Sequence, residues 1–94
     1  MPRKADVLNL PAELTQDQAR SCLQDLALGV SSHASPVVVD AQSLRRFDSS
    51  ALAVLLALRR ECARAGKAFA VHGLPQRLLD LAALYGVERL LPSV

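Results

Sequence analysis

Aromatic residues are nearly absent from this chain of 94 residues, which contains two Phe, one Tyr and no Trp. Proteins that bind single-stranded nucleic acid stack bases on aromatic side chains beside a basic patch. A net charge of only +2 does not fit that class either, so we expect no nucleic-acid partner. The densest group of cations, Arg59, Arg60, Arg64 and Lys67, is instead typical of the end of a helix, where positive charge complements the helix dipole.

Cysteines and histidines are too few and too scattered for a metal or redox site. Cys22 and Cys62 stand far apart, and neither belongs to a Cys-x-x-Cys pair or a ligand cluster. His33 and His72 have no Ser, Cys or Asp at a spacing typical of a catalytic triad. Glycine-rich phosphate loops are also missing. We therefore expect a protein that is not an enzyme and has no cofactor, with both cysteines serving as small core residues.

Long apolar runs are missing as well. The longest unbroken run, Ala51 to Leu58, is far too short to span a bilayer. Met1–Lys4 is basic, but polar residues interrupt the stretch that follows it, so we expect no signal peptide. Because no basic amphipathic helix of the membrane-surface kind is evident, we expect no direct membrane insertion and a cytoplasmic location.

Two carboxylates, Asp40 and Asp48, are the one candidate metal pair. Asp40 follows a predicted strand, and both are expected at the C-terminal edge of the sheet, where α/β folds place their sites. The simpler interpretation is that Asp40 holds its loop and Asp48 caps the next helix.

Strands and helices are predicted to alternate along the chain. The predicted strands are Asp6–Leu10, Val37–Val39, Ala68–Val71 and a short one at Leu90–Leu91. The predicted helices run from the capping box Thr15–Gln18 to Gly29, from Asp48 to Ala65, and from Pro75 to Gly86. On the third helix, one buried face is expected to hold Leu78, Leu81, Ala82 and Tyr85. This alternation predicts one α/β domain over residues 1–94.

The second predicted helix is apolar around its whole circumference for more than two turns. One stripe, which should face the sheet, consists of Ala51, Leu55, Leu58 and Cys62. A different stripe consists of Ser49, Ala53, Leu56 and Arg60. Because a surface helix is normally apolar on one face only, the second stripe is covered either by a neighbouring helix or by a partner protein.

Two serines, Ser49 and Ser50, open this helix and have two interpretations. Serine is common at helix N-termini because its hydroxyl satisfies free N–H groups there. Alternatively, the serines are phosphorylated, since the helix dipole favours negative charge at that end. On an apolar docking face the added charge would switch binding off.

Val37–Asp40 and Phe47–Leu56 together resemble the STAS domain family, in which an apolar strand ends in Asp and Asp-Ser/Thr-x-Gly-Leu opens a helix. The resemblance extends from about Val7 to Pro92. It implies an α/β fold with a STAS-like small mixed β-sheet of about four strands packed against about three helices. Two features differ: Ala51 replaces the usual Gly, so that its methyl would crowd a closely approaching partner, and a single strand replaces the hairpin that opens many STAS domains.

One branch of that family is the STAS subunit of Mla-type ABC transporters, which move phospholipid between the membranes of Gram-negative bacteria. The segments similar to that branch are His72-Gly73, Leu81–Tyr85 and Leu91-Pro92. The similarity implies a cytoplasmic subunit that binds the transporter ATPase at the inner face of the inner membrane and supports outer-membrane lipid asymmetry. It also implies that Ser49 contacts the ATPase. The predicted partner-binding residues are Asp48, Ser49, Ser50, Ala53, Leu56 and Arg60.

A second branch, the anti-sigma factor antagonists, matches Asp48-Ser49-Ser50 more closely, because its motif is Asp-Ser-Ser-Gly-Leu. In that branch a partner kinase phosphorylates the second serine. The resemblance implies Ser50 as the acceptor, with Ser49 as the other candidate, and an anti-sigma factor and a serine kinase as partners. A third possibility is a soluble α/β domain whose second helix is simply packed.

Overall fold

A computed structural model describes residues 7–94 of the chain. The start of the strand predicted at Asp6, and the expectation about Met1–Lys4, therefore lie outside the described residues. The helices are α1 (Gln16–Val30), α2 (Ser50–Arg64) and α3 (Gln76–Leu84), and a 3₁₀ turn spans Glu88–Leu90. The strands are β1 (Val7–Asn9), β2 (Glu13–Leu14), β3 (Val37–Asp40), β4 (Arg46–Phe47) and β5 (Phe69–His72).

The central sheet is built on β3, whose three consecutive valines suit a strand that is covered by other elements. It has the strand order β1-β3-β5, and both of its pairings are parallel. Val38 lies opposite Val7 on one side and opposite Ala70 on the other. The α/β class and the three helices are confirmed.

Helices α1 and α2 pack against each other on this sheet. Helix α1 lies between β1 and β3 in the chain, and α2 lies between β3 and β5. Because the strand order is β1-β3-β5, both connections cross the sheet in the same direction. Right-handed crossovers then place both helices on the same side.

A second, two-stranded parallel sheet pairs β2 with β4, which the sequence patterns missed. Its strands are only two residues long, too short for hydrophobic alternation to reveal. An ion pair between Glu13 and Arg46, at 3.5 Å, supports the pairing. Because β2 leads into α1 and β4 leads into α2, this small sheet brings the first residues of the two helices together.

The sheet-facing stripe of α2 is confirmed: Ala51, Leu55, Leu58 and Cys62 are all 0% exposed. Burial also raises the pKa of the Cys62 thiol, as expected for an inert core cysteine. The other cysteine, Cys22, lies partly buried against the same core.

Two predictions near the C-terminus are wrong. Tyr85 does not share the buried face of α3 and is 59% exposed, because α3 ends at Leu84 and the chain turns away at Gly86, where φ is 72°. The segment around Leu90 forms a 3₁₀ turn instead of a strand. Backbone pairing with β5 comes slightly later, where Val71 donates its N–H to the Pro92 carbonyl at 2.8 Å.

Gly29 does not end α1, which continues to Val30. Its lack of a side chain serves a different purpose, since a Cβ at this position would lie 2.8 Å from the side chain of Leu8. The glycine therefore permits close packing of α1 on β1. Gly66 does follow the end of α2 as predicted, with a positive φ of 71° that suits glycine.

Candidate partner-binding site

The carboxylate of Asp48 joins the N-termini of two helices. Asp48 lies between β4 and α2, and its Oδ1 accepts the backbone N–H of Ser50 at 2.8 Å. Its Oδ2 accepts the backbone N–H of Gln16, the first residue of α1, at 3.1 Å. Asp48 thus binds a free N–H at the start of α2 as predicted, but the N-cap position itself belongs to Ser49. The link to α1 is an addition that the sequence does not indicate. One side chain satisfies a free N–H at the start of each helix.

These contacts set the charge of the site. The N–H of Ser50 is the main cause that lowers the pKa of the Asp48 carboxyl. Partial dehydration opposes the shift, while the N–H of Gln16 and the Ser50 hydroxyl reinforce it. Asp48 is therefore a fixed negative charge at neutral pH, placed between two helix N-termini that favour such a charge.

The neighbouring N-terminus of α1 is closed by its own capping box, as predicted. The side chain of Thr15 accepts the N–H of Asp17, and the Thr15 N–H donates to Gln18 Oε1 at 2.8 Å. These bonds fix the first turn of α1, and with it the position of Gln16 beside Asp48.

The two serines at the start of α2 differ in their surroundings. Ser49 is exposed, and its side chain makes no capping hydrogen bond. Ser50 is half-buried, and its backbone N–H is bound to the Asp48 carboxylate at 2.8 Å. The hydroxyl that is open to a partner is therefore that of Ser49.

The second stripe of α2 is only partly covered by the rest of the chain. Ala53 and Arg60 are exposed, and Leu56 is half-buried at the margin of the core. Although α1 packs against α2, it leaves these positions open. We call this surface the docking face; it consists of Ser49, Ala53, Leu56 and Arg60, with Asp48 and Ser50 at its N-terminal end.

The other carboxylate considered for a metal, Asp40, has a local role. Its Oδ1 accepts the N–H of Gln42 at 2.9 Å, which holds the loop after β3 as the simpler interpretation predicts. Within residues 7–94, no three His, Cys, Asp or Glu side chains lie close enough together to hold a metal ion. Over the same residues, no helix has the length and apolar character needed to cross a membrane.

At the opposite end of the helix pair, Lys67 follows the end of α2, as the sequence predicts. In addition its Nζ donates to carbonyls around the end of α1: Val30 at 2.7 Å, Ser31 at 2.9 Å and His33 at 2.5 Å. No short-range pattern indicates this contact, because the partners are more than 30 residues away.

Comparison with known families gives one match. A family model described as "Mlab, STAS domain" matches residues 1–92, which is nearly the whole chain. STAS domains are in general non-enzymatic domains that bind other proteins. No curated protein gave a significant sequence match.

Proposed function

The chain belongs to the STAS domain family, and on this premise we propose that it is a non-catalytic subunit that binds and supports the ATPase of an Mla-type ABC transporter. In this proposal residues 1–94 form one domain, and the protein acts in phospholipid trafficking that maintains outer-membrane lipid asymmetry. It reaches the inner face of the inner membrane through its partner and does not insert into lipid itself.

The observation that carries the proposal is the exposed second stripe of α2. Ala53 offers a small apolar surface that a partner can approach closely, and Leu56 stands beside it, half-buried. Charged groups flank this surface, with Asp48 at one end and Arg60 at the other. An apolar centre with a polar rim is the usual composition of a protein interface.

Ser49 is proposed as a direct ATPase contact. Its hydroxyl has no capping bond to maintain, so a partner can use it as a donor or acceptor without disturbing α2. Asp48 holds the turn that presents this hydroxyl, since its carboxylate fixes the backbone of the next two residues.

Ala53→Asp is the variant that tests the docking face. Position 53 is exposed and close to the N-terminus of α2, where a negative charge is compatible with the helix dipole, so folding should be retained. A charge buried in the interface should weaken binding by about 2 kcal/mol or more, roughly 30-fold in Kd. Leu56→Asp should act in the same direction, with its thermal unfolding measured in parallel because Leu56 also touches the core.

The matched control is Leu28→Asp, on an exposed leucine of α1 that lies outside the docking face. Tagged wild type and variants are to be isolated from native cells, and the co-purifying proteins identified by mass spectrometry. The expected result is an ABC ATPase and its permease with wild type and Leu28→Asp, and neither protein with Ala53→Asp. Unchanged recovery with Ala53→Asp and Leu56→Asp would mean that the ATPase does not bind at the docking face. Absence of both proteins with wild type would leave only a soluble α/β domain with a packed second helix.

A second candidate, an anti-sigma factor antagonist regulated by a serine kinase, is favoured by the position of Ser50, whose backbone N–H donates to the Asp48 carboxylate at 2.8 Å. A phosphate on Ser50 would place a second negative charge beside that carboxylate and displace it from the helix N-termini. Recovery of a serine kinase and an anti-sigma factor in place of a transporter, together with phosphate on Ser50 or Ser49 in the intact protein, would establish this alternative.

A further inference from the structure

A half-open groove lies at the C-terminal end of α2, beside Arg60 at the end of the docking face. Its volume is about 250 Å³. Three of its lining side chains are cations, and the others used here are apolar: Arg59, Lys67, Arg89, Phe69, Ala63 and Pro92. No Asp or Glu is among its lining residues. The groove thus combines concentrated positive charge with a small apolar wall.

This concentration of charge is unusual for the chain, whose total net charge is only +2. Like charges that converge on one cavity repel each other, so their convergence in the groove is electrostatically unfavourable. Across residues 7–94 the ion pairs are Arg46–Glu13 and Arg64–Glu61, and neither includes a cation of the groove. A bound anion would offset the repulsion.

The three cations are not equivalent. Lys67 is engaged by carbonyls at the end of α1, so it contributes positive potential but no free donors of its own. Arg59 and Arg89 are exposed, and in the described part of the chain neither guanidinium makes a hydrogen bond to protein. They come from separate elements, α2 and the 3₁₀ turn, and therefore approach the groove from different directions.

We infer that this groove binds a phosphate group, held between the guanidinium groups of Arg59 and Arg89. The planar fork of a guanidinium donates two parallel hydrogen bonds to phosphate oxygens. The volume lies below the roughly 300–1,000 Å³ of pockets that enclose drug-sized ligands, so the remainder of the ligand is small. A phosphomonoester of a few carbons and a phospholipid headgroup share this chemistry.

The groove lies apart from the N-terminal end of the proposed interface, although Arg60 of the docking face adjoins Arg59. A helix of 15 residues is about 22 Å long, so the groove and Ser49 lie near opposite ends of α2. Ligand binding in the groove can therefore be measured without the transporter partner.

The test is a titration of the isotopically labelled full chain with inorganic phosphate and with glycerol 3-phosphate, followed by amide NMR. Sodium chloride at equal ionic strength is the reference. We expect saturable shifts concentrated in residues 59–69 and 88–92. The double variant R59Q/R89Q should weaken binding about tenfold or more, since it removes the charged donors.

The matched control is R20Q/R60Q, which removes the same charge at two exposed arginines that do not line the groove. It should keep the wild-type affinity within about twofold. Equal loss in both double variants, or shifts that chloride reproduces, would overturn the phosphate site, because screening of the net charge would then explain the effect.

Sedimentation with phosphatidylcholine vesicles, with and without phosphatidylglycerol, distinguishes the two sources of phosphate. Binding to glycerol 3-phosphate without vesicle binding assigns a soluble ligand. Vesicle binding that R59Q/R89Q abolishes and R20Q/R60Q retains assigns a lipid headgroup. If neither probe binds, the inference is wrong, whatever the outcome of the docking-face experiment.

Discussion

The two ends of the α1–α2 pair are each closed by one side chain, and the two side chains have opposite charge. At the N-terminal end, Asp48 accepts N–H groups from Gln16 and Ser50. At the C-terminal end, Lys67 donates to three carbonyls around the end of α1. The helices therefore run parallel, and each end carries the charge that its free backbone groups and its dipole require.

The two ends differ in how accessible Asp48 and Lys67 are to a partner. Lys67 is half-buried and uses its ammonium on three backbone acceptors, so it serves the fold. Asp48 is exposed, and the open hydroxyl of Ser49 follows it directly. The charge that the helix ends require is thus supplied at the C-terminal end by the internally bonded Lys67, and at the N-terminal end by Asp48, which a partner can also reach. A partner can therefore contact the N-terminal end without breaking the hydrogen bonds of Lys67.

The largest expected effect on the free energy of unfolding is that of a substitution of Lys67. Lys67→Met keeps the length of the side chain but removes the charged donor from the Val30 and Ser31 carbonyls. Hydrogen bonds to charged groups contribute about 1.5–3 kcal/mol, so the free energy of unfolding should fall by about that amount in urea titrations. Arg60→Met, an exposed cation on the docking face, is the control and should change it by less than about 0.5 kcal/mol. Equal effects in the two variants would mean that Lys67 is an ordinary surface cation.

The next largest loss of stability is expected from a substitution of Ala51, which lies near Asp48. Ala51→Gly restores the glycine of the family motif but lowers helix propensity by about 1 kcal/mol. It also removes a methyl that is fully buried, which adds about 0.8 kcal/mol. Ala53→Gly, on the exposed face of the same turn, should show the propensity loss alone.

Because the Ala51 methyl is enclosed by the core, it does not face solvent where a partner would approach. The expectation that it crowds a partner therefore gains no support from its position. We expect Ala51→Gly to leave partner binding unchanged in a direct binding titration. Tighter binding of Ala51→Gly than of wild type would contradict this.

The difference between the two ends also marks what the sequence could predict. The capping role of Asp48 follows from local chemistry, because a carboxylate before an apolar helical pattern indicates an N-cap. Its second bond, to Gln16, depends on the β2–β4 pairing, and two-residue strands leave no periodic signal. The position of Lys67 at the end of α2 is likewise predictable, but its bonds to α1 are not, since only the fold brings Val30 next to it.

The same limit applies to the candidate sites. Helical periodicity identified both stripes of α2, because that pattern is local and α2 is regular. The basic groove joins Arg59 to Arg89 across 30 positions of the chain, and its two arginines have no shared pattern in the sequence. Exposed Tyr85 was missed for a related reason, since its spacing fits the buried face of α3 but the helix ends first.

A smaller loss of stability is expected when acid protonates Asp48. The bonds to Ser50 and Gln16 lower the pKa of Asp48 in the folded protein relative to its unfolded value of about 3.9. Its contribution to stability is therefore complete above that value and is lost as the pH falls through the lower, folded pKa. In urea titrations across this acid range, Asp48→Asn should remove that component of the pH dependence, whereas Lys67→Met should retain it. An unchanged acid profile in Asp48→Asn would show that the carboxylate contacts do not stabilise the fold.

The smallest expected effect is the coupling between the two ends. They are separated by about the length of a 15-residue helix, roughly 22 Å, and share no hydrogen-bond partner. Substitutions that far apart normally add, so the stability loss of Asp48→Asn with Lys67→Met should equal the sum of the two single losses within experimental error. A loss clearly smaller than the sum would mean that releasing one end already frees α1 from α2. In that case the N-terminal end could not change on partner binding without disturbing the C-terminal end, and Ser49 would not be independent of the groove that Arg59 and Arg89 line.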